Sequence, residues 1–153
     1  MPQMDPDETR RRFAAARVAR LATVDAAGRP HLVPVVFAAH GEDGIVTAVD
    51  HKPKSTSGLK RLHNVAVTPA VCLLADAYDE DWGRLWWARA DGGARIVTPD
   101  AAYPEARRAY EDALTRLQRK YPQYQDEPPG GPVIAVTVHR WTGWEAGPPS
   151  APG

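Results

Sequence analysis

The chain has 153 residues, 43% apolar and 25% charged, and its 19 basic and 19 acidic side chains balance. That size fits one domain with a single core and leaves no room for a second. Neutrality argues against a general nucleic-acid binder, no apolar run approaches the roughly 18 residues that cross a bilayer, and a lone cysteine, Cys72, excludes an intrachain disulfide or a cysteine-built metal site.

The start, Met1-Pro-Gln-Met-Asp-Pro-Asp-Glu8, is acidic where a secretory leader is basic and then apolar, so a cytoplasmic protein is expected. Asp5-Pro6-Asp7-Glu8 reads as a helix start: an acid at the N-cap, proline in the first turn, and Glu8 three residues on. The helix carries Arg10, Arg11 and Arg12, read as a solvated face rather than a nucleic-acid contact.

Val18 to Val24 and His31 to Phe37 read as two strands joined by a short turn, hence a hairpin. Pro34 lacks an N–H, which puts its strand at an edge, gives it a bulge, or leaves a backbone gap. After the turn at His40 to Gly44, Ile45 to Val49 is a third strand.

Asp50 to Pro69 follows and is the most distinctive stretch. Between His51 and Ala75 there is no Asp or Glu, while Lys52, Lys54, Lys60 and Arg61 crowd the first half. A helix is predicted over 55–65. Lysines and hydroxyls ahead of a helix start suit an anion such as phosphate, held by backbone N–H groups and charge together. The other reading is a solvated basic loop.

The fourth strand runs from about Val71 to Tyr78, with Cys72 expected in the core. Asp79-Glu-Asp-Trp82 reads as a solvated acidic turn, because it lacks the spacing of a calcium loop. Arg84 to Ala90 and Ala94 to Val97 form a fifth strand, interrupted by a bulge or turn at Asp91-Gly-Gly93. Asp100 to Lys120 is a long helix whose Tyr110, Ala113, Leu114, Leu117 and Tyr121 share one stripe and pack on the sheet. Val133 to His139 is the last strand. Arg140 to Trp144 trails it, and residues 146–153 are a Pro/Gly tail expected to be disordered. Residues 1–145 then make a single domain.

Six strands in mostly sequential antiparallel order, flanked by helices, point to a mostly β (α+β) fold: a small closed or half-closed barrel, which disposes of exposed sheet edges. No Ser-His-Asp or Cys-His signature is present, and the five histidines lack His-Glu-x-x-His spacing, so neither a catalytic side-chain set nor a metal site is expected.

The order of motifs, with Val49-Asp-His-Lys-Pro-Lys-Ser-Thr56, then Leu59-Lys-Arg-Leu-His-Asn64, then a proline and a strand, resembles the pyridoxamine-5′-phosphate-oxidase-like split-barrel family. Asp79-Glu-Asp-Trp-Gly-Arg-Leu-Trp-Trp87 and Lys120-Tyr-Pro-Gln-Tyr124 are similar to its deazaflavin (coenzyme F-420) dependent oxidoreductase branch. The resemblance runs to Trp144. It implies a six-stranded split barrel of the FMN-binding type, forming a homodimer with cofactor clefts between subunits.

In such proteins the basic loop and the helix after it hold the cofactor phosphate. Carried to this chain, that implies Lys52, Lys54, Ser55 and Thr56 in the loop and Lys60 and Arg61 on the helix, with His51 beside them. The family often has arginine where this chain has Ala70. The C-terminal motif of true pyridoxamine phosphate oxidases is not evident, which disfavours vitamin B6 chemistry.

The implied activity is hydride transfer between coenzyme F-420 and a small organic substrate, chemistry the cofactor carries without a protein nucleophile. A phosphate and an acidic tail suit a local lysine patch in a neutral protein. The strand around Pro34 to Phe37 and the aromatics Trp82, Trp86 and Trp87 either line a ring slot or serve core and interface packing. FMN in place of F-420 is the alternative ligand. A protein that sequesters a flavin-like or haem ligand without turnover is the alternative function.

Overall fold

The computed structural model describes residues 3–49 and 56–147, with side chains throughout except at 56–58. Its elements run α1 (Pro6–Ala15), β1 (Ala19–Val24), β2 (Pro30–Val35), β3 (Ala38–His40), β4 (Gly44–Ala48), α2 (Thr56–Val67), β5 (Ala70–Ala77), β6 (Trp86–Val97), α3 (Pro104–Lys120), α4 (Pro122–Asp126) and β7 (Val133–Glu145). Every strand pairing is antiparallel, and the sheet order is β2-β1-β5-β6-β7-β4-β3.

Among the described residues seven strands stand where the sequence predicts six, and the reason lies at Val36-Phe37. The expected strand over 31–37 stops at Val35, and Ala38–His40 pairs with β4 at the opposite edge of the sheet. Three peptide steps, from Val35 to Ala38, span at most about 11 Å. The two edges therefore approach each other, and the sheet curls into a barrel. Tyr121 fastens this crossover: its hydroxyl accepts from the buried Phe37 N–H at 3.1 Å and lies 2.9 Å from the Phe37 carbonyl.

Of the three readings of Pro34, the edge position is the one observed, since β2 pairs only with β1. A proline is tolerated where its nitrogen faces away from the neighbouring strand, and Pro30 and Pro34 share that orientation. The free edge of β2 thereby lacks two N–H groups that an added strand would need.

The barrel interior is filled by alternate residues of the strands, among them Leu21, Leu73, Ala88, Ala90, Ile134 and Val136, and by Phe13 from α1. Phe13 packs between Phe37, with ring centroids 4.8 Å apart, and Trp141, at 5.3 Å. A side chain at Gly143 would run into Thr9 and Met4, so this glycine lets the N-terminal segment lie against β7. Asp5 caps α1 as expected, accepting from Glu8 N–H at 2.9 Å. The three arginines are spent on ion pairs: Arg10 with Asp7 and Asp43, Arg11 with Glu8, and Arg12 with Glu8 and Glu145. Arg11 and Arg12 hold the Glu8 carboxyl down at about 2.

The long helix begins at Pro104 rather than Asp100 and carries the expected stripe. Tyr110, Ala113, Leu117 and Tyr121 are buried with Val46, Ala48, Val97 and Val133 on the outer face of the sheet. The short helix α4, absent from the sequence reading, follows Tyr121. β6 is one continuous strand, bulged between Asp91 and Gly92 at the expected break. A Cβ at Gly92 would meet the Thr137 carbonyl oxygen, which fixes glycine at the bulge. The trailing segment 140–144 is corrected to strand: β7 continues to Glu145 because Trp86 to Asp91 offers it a partner.

The outer face is thus covered by α3 at one end only. At the other, across β2, β1, β5, the first half of β6 and the last half of β7, no helix covers it among the described residues.

Candidate functional site

Two regions carry candidate chemistry, one at each end of β6. The first is α2. It is held against β1 and β6 by a narrow face, with Val65 and Asn64 buried and Leu62 half-buried against the core. Its first turn has no acidic side chain, so no carboxylate of that turn offsets the positive end of the helix dipole.

Of the expected site residues, Thr56 begins the helix as described backbone, and the expected contacts of His51, Lys52, Lys54 and Ser55 lie outside the described residues. Arg61 and Lys60, adjacent in sequence, part company. Arg61 is half-buried on the side of α2 that also carries Asn64 and Val65, whereas Lys60 is exposed to solvent.

The second region is a pocket of about 380 Å³ on the uncovered outer face, walled by Leu74, Tyr78, Leu85, Trp86, Trp87 and Trp144, with Asp76 and Arg89 at its polar side. Trp87 and Trp144 are direct cross-strand partners. Arg89 stands 5.6 Å from the Trp87 ring centre and is oriented by Asp91 at 3.1 Å, while Asp76 pairs with Arg20 at 3.2 Å. Trp144 Nε1 is buried without a hydrogen-bond partner.

Trp86 and Trp87, candidates for a ring slot or for packing, line this pocket. Trp82 does not; it stands 68% exposed on a one-turn 3-10 helix capped by Asp81. Leu74, Tyr78, Arg89 and Trp144 escaped the sequence reading. The period-2 alternation of β6 was the available signal: with Ala88 and Ala90 inside, Trp87 and Arg89 face outward.

Cys72 shares this outer face and is half-buried, which corrects the expected core position. Burial, aided by the charge and hydrogen bond of Asp91, pushes its thiol up to about 11. In the acidic turn, Asp79 and Asp81 accept backbone N–H groups at 2.8 and 2.9 Å. Among the described residues, no group of three or more His, Cys, Asp or Glu is arranged to hold a metal, and no helix is long and apolar enough to cross a membrane.

A family model described as pyridoxamine 5′-phosphate oxidase matches residues 5–145. The chain belongs to that family. Solved structures similar to it include an FAD-binding protein from Mesorhizobium loti, at 16% identity and TM-score 0.69 over 93% of this chain and 95% of that one. A second is an FAD-binding protein from Mycobacterium smegmatis, at 17% and 0.62 over 95% and 98%. A third is a heme storage protein from Vibrio cholerae, at 16% and 0.65 over 94% and 95%. At these identities the likeness shows the fold alone. No curated protein matches the chain.

Proposed function

We propose that this protein is an oxidoreductase binding coenzyme F-420, with the cofactor phosphate at the basic segment ahead of α2 and hydride exchanged with a small organic substrate. The observation that carries the reading is the acid-free start of α2, with Lys52 and Lys54 ahead of it in sequence and Lys60 and Arg61 within it, in a chain of zero net charge. Membership of the pyridoxamine 5′-phosphate oxidase family and likeness to FAD-binding proteins support a flavin-type ligand.

The residues fit such a group. The aromatic pocket falls in the range of about 300–1,000 Å³ usual for small-molecule sites, and its walls are apolar with the Arg89 guanidinium and the Asp76 carboxylate at the rim. When bound, a deazaflavin supplies the hydride chemistry. The chain's own part is to hold the phosphate, sandwich the ring between Trp87, Trp144 and Leu74, and keep water from it.

The reading includes a second copy of the chain. Val49, where the chain leaves the sheet for the basic segment, is bonded to Pro132 at the Val97 end of β6. Trp87 lies ten residues earlier on that strand, roughly 30 Å away at strand rise. An FMN-sized ligand at Val49 does not reach the aromatic pocket of the same chain. In a two-fold dimer joined through the uncovered sheet face, the pocket of one copy meets the basic segment of the other.

FMN is the competing ligand. Sequestration of a haem-type ligand without turnover is the competing function, favoured by the likeness to the heme storage protein. Titration with F-420 and, separately, FMN and haem, alongside Lys54→Ala and Arg61→Ala variants, separates the readings. Micromolar F-420 binding that weakens in the variants and with added salt supports the proposal. FMN or haem binding with none for F-420 replaces it.

A further inference from the structure

The bond from Asn64 Nδ2 to Thr23 Oγ1, 3.0 Å long, ties α2 to β1. Both residues are 1% exposed, so the bond is made wholly out of water. Asn64 Oδ1 is buried too and has no partner; nor has Nδ1 of His31, the residue opposite Thr23 in the β1–β2 ladder. A buried amide with an unspent acceptor costs stability, and two apolar residues of similar shape would fill the place at no loss.

Beside this bond and the contacts of the half-buried Arg61, the described side chains of α2 make few apolar contacts. Leu59 is 67% exposed and Val67 50%, while Lys60, His63 and Ala66 face solvent. Among the described side chains of this helix, Leu62 and Val65 are the apolar ones that pack into the core. Apolar contacts this few are non-directional and tolerate rotation or sliding of the helix, whereas a hydrogen bond accepts one register.

We infer that Asn64, with Thr23 as its anchor, is a positioning residue that sets the axial register of α2. Eight residues of helix separate it from Thr56, about 12 Å, so a shift or rotation at Asn64 is carried to the amino-terminal end. The inference rests on the phosphate-binding reading only for its functional consequence; the register itself is a property of the free protein.

The test compares wild type with Thr23→Val/Asn64→Leu, which replaces both polar groups at near-constant volume, and with Thr23→Ser, which keeps the hydroxyl. Hydrogen exchange of α2 amides, thermal midpoint, and affinity for FMN and F-420 are measured on each. The expected result is faster exchange confined to α2 in the double variant, an unchanged or raised midpoint, and about tenfold weaker cofactor binding, as for a site competent about a tenth of the time. Thr23→Ser restores all three to wild type.

Equal exchange and equal affinity in the double variant overturn the inference. So does a lowered midpoint with exchange raised evenly over the whole chain, which is loss of packing rather than of register. If wild type binds neither cofactor, the functional reading fails separately. Exchange in α2 then decides the positioning role alone: faster in the double variant sustains it, unchanged overturns it.

Discussion

The Lys120 ammonium stands 3.7 Å from the centre of the Phe37 ring and donates to the carbonyls of Ala14 and Ala16 at 3.1 and 2.6 Å. One side chain at the end of α3 therefore reaches the negative end of α1 and the crossover that closes the barrel. The neighbouring Arg17 donates to the Lys120 carbonyl at 2.9 Å and lies over the Tyr121 ring.

These carbonyls and the ring favour the ammonium, but burial and the charge of Arg17 outweigh them and bring Lys120 from 10.5 to about 8. The folded state thus holds this proton less tightly than the unfolded chain. Stability from this group is lowest below pH 8 and rises as pH climbs from about 8 towards 10.5. Carbon-13 NMR of the Lys120 side chain is expected to show a midpoint near 8, and the alkaline gain in urea midpoint should vanish in Lys120→Met. A midpoint above 10 sinks this assignment.

Tyr121→Phe keeps the ring and removes the hydroxyl. The buried Phe37 N–H then loses its acceptor, and the carbonyls of Phe37 and Arg17 lose a donor at 2.9 Å. A loss of about 2 kcal/mol is expected, or several degrees in Tm. Calorimetry within a degree of wild type would show that water replaces the hydroxyl.

Cys72, with its thiol near 11, holds almost no thiolate at neutral pH. Alkylation by iodoacetamide should be slow at pH 8 and accelerate steadily towards pH 11. Because the folded value lies above the ordinary 9.0, the same group withdraws stability between about pH 9 and 11. Rapid labelling of the folded protein at pH 8 contradicts this environment.

If each cofactor site joins the basic segment of one copy to the aromatic pocket of another, Lys54→Ala and Trp144→Ala should each weaken binding strongly, and mixing them should restore wild-type affinity to part of the sites. Random exchange gives half the dimers as mixed, each with one intact site, so about a quarter of sites recover. No recovery after verified subunit exchange means that both residues serve one site in the same chain, or that one of them serves none.

The amphipathic stripe of α3, the Asp5 cap, the β1–β2 hairpin and the acid-free stretch before α2 were all legible in the sequence. Each depends on neighbours a few residues apart, and side-chain period, cap chemistry and local charge are written at that range. The division between Lys60 and Arg61 was not legible, because it depends on which face of α2 meets β1 and β6. The partition of the tryptophans was hidden for a similar reason. Trp87 and Trp144 meet only because β7 continues past His139 along β6, 57 residues distant in sequence.

What the sequence by itself determined is most of the elements and the neutral chain with one basic island, since these follow from local pattern and count. Only the tertiary structure decided that the expected second strand stops at Val35 and that a further strand, Ala38–His40, follows it on the opposite edge of the same sheet. Val36-Phe37 carries no pattern that marks a crossing. It becomes one because Tyr121, 84 residues away, satisfies the buried Phe37 backbone that strand pairing would otherwise have held.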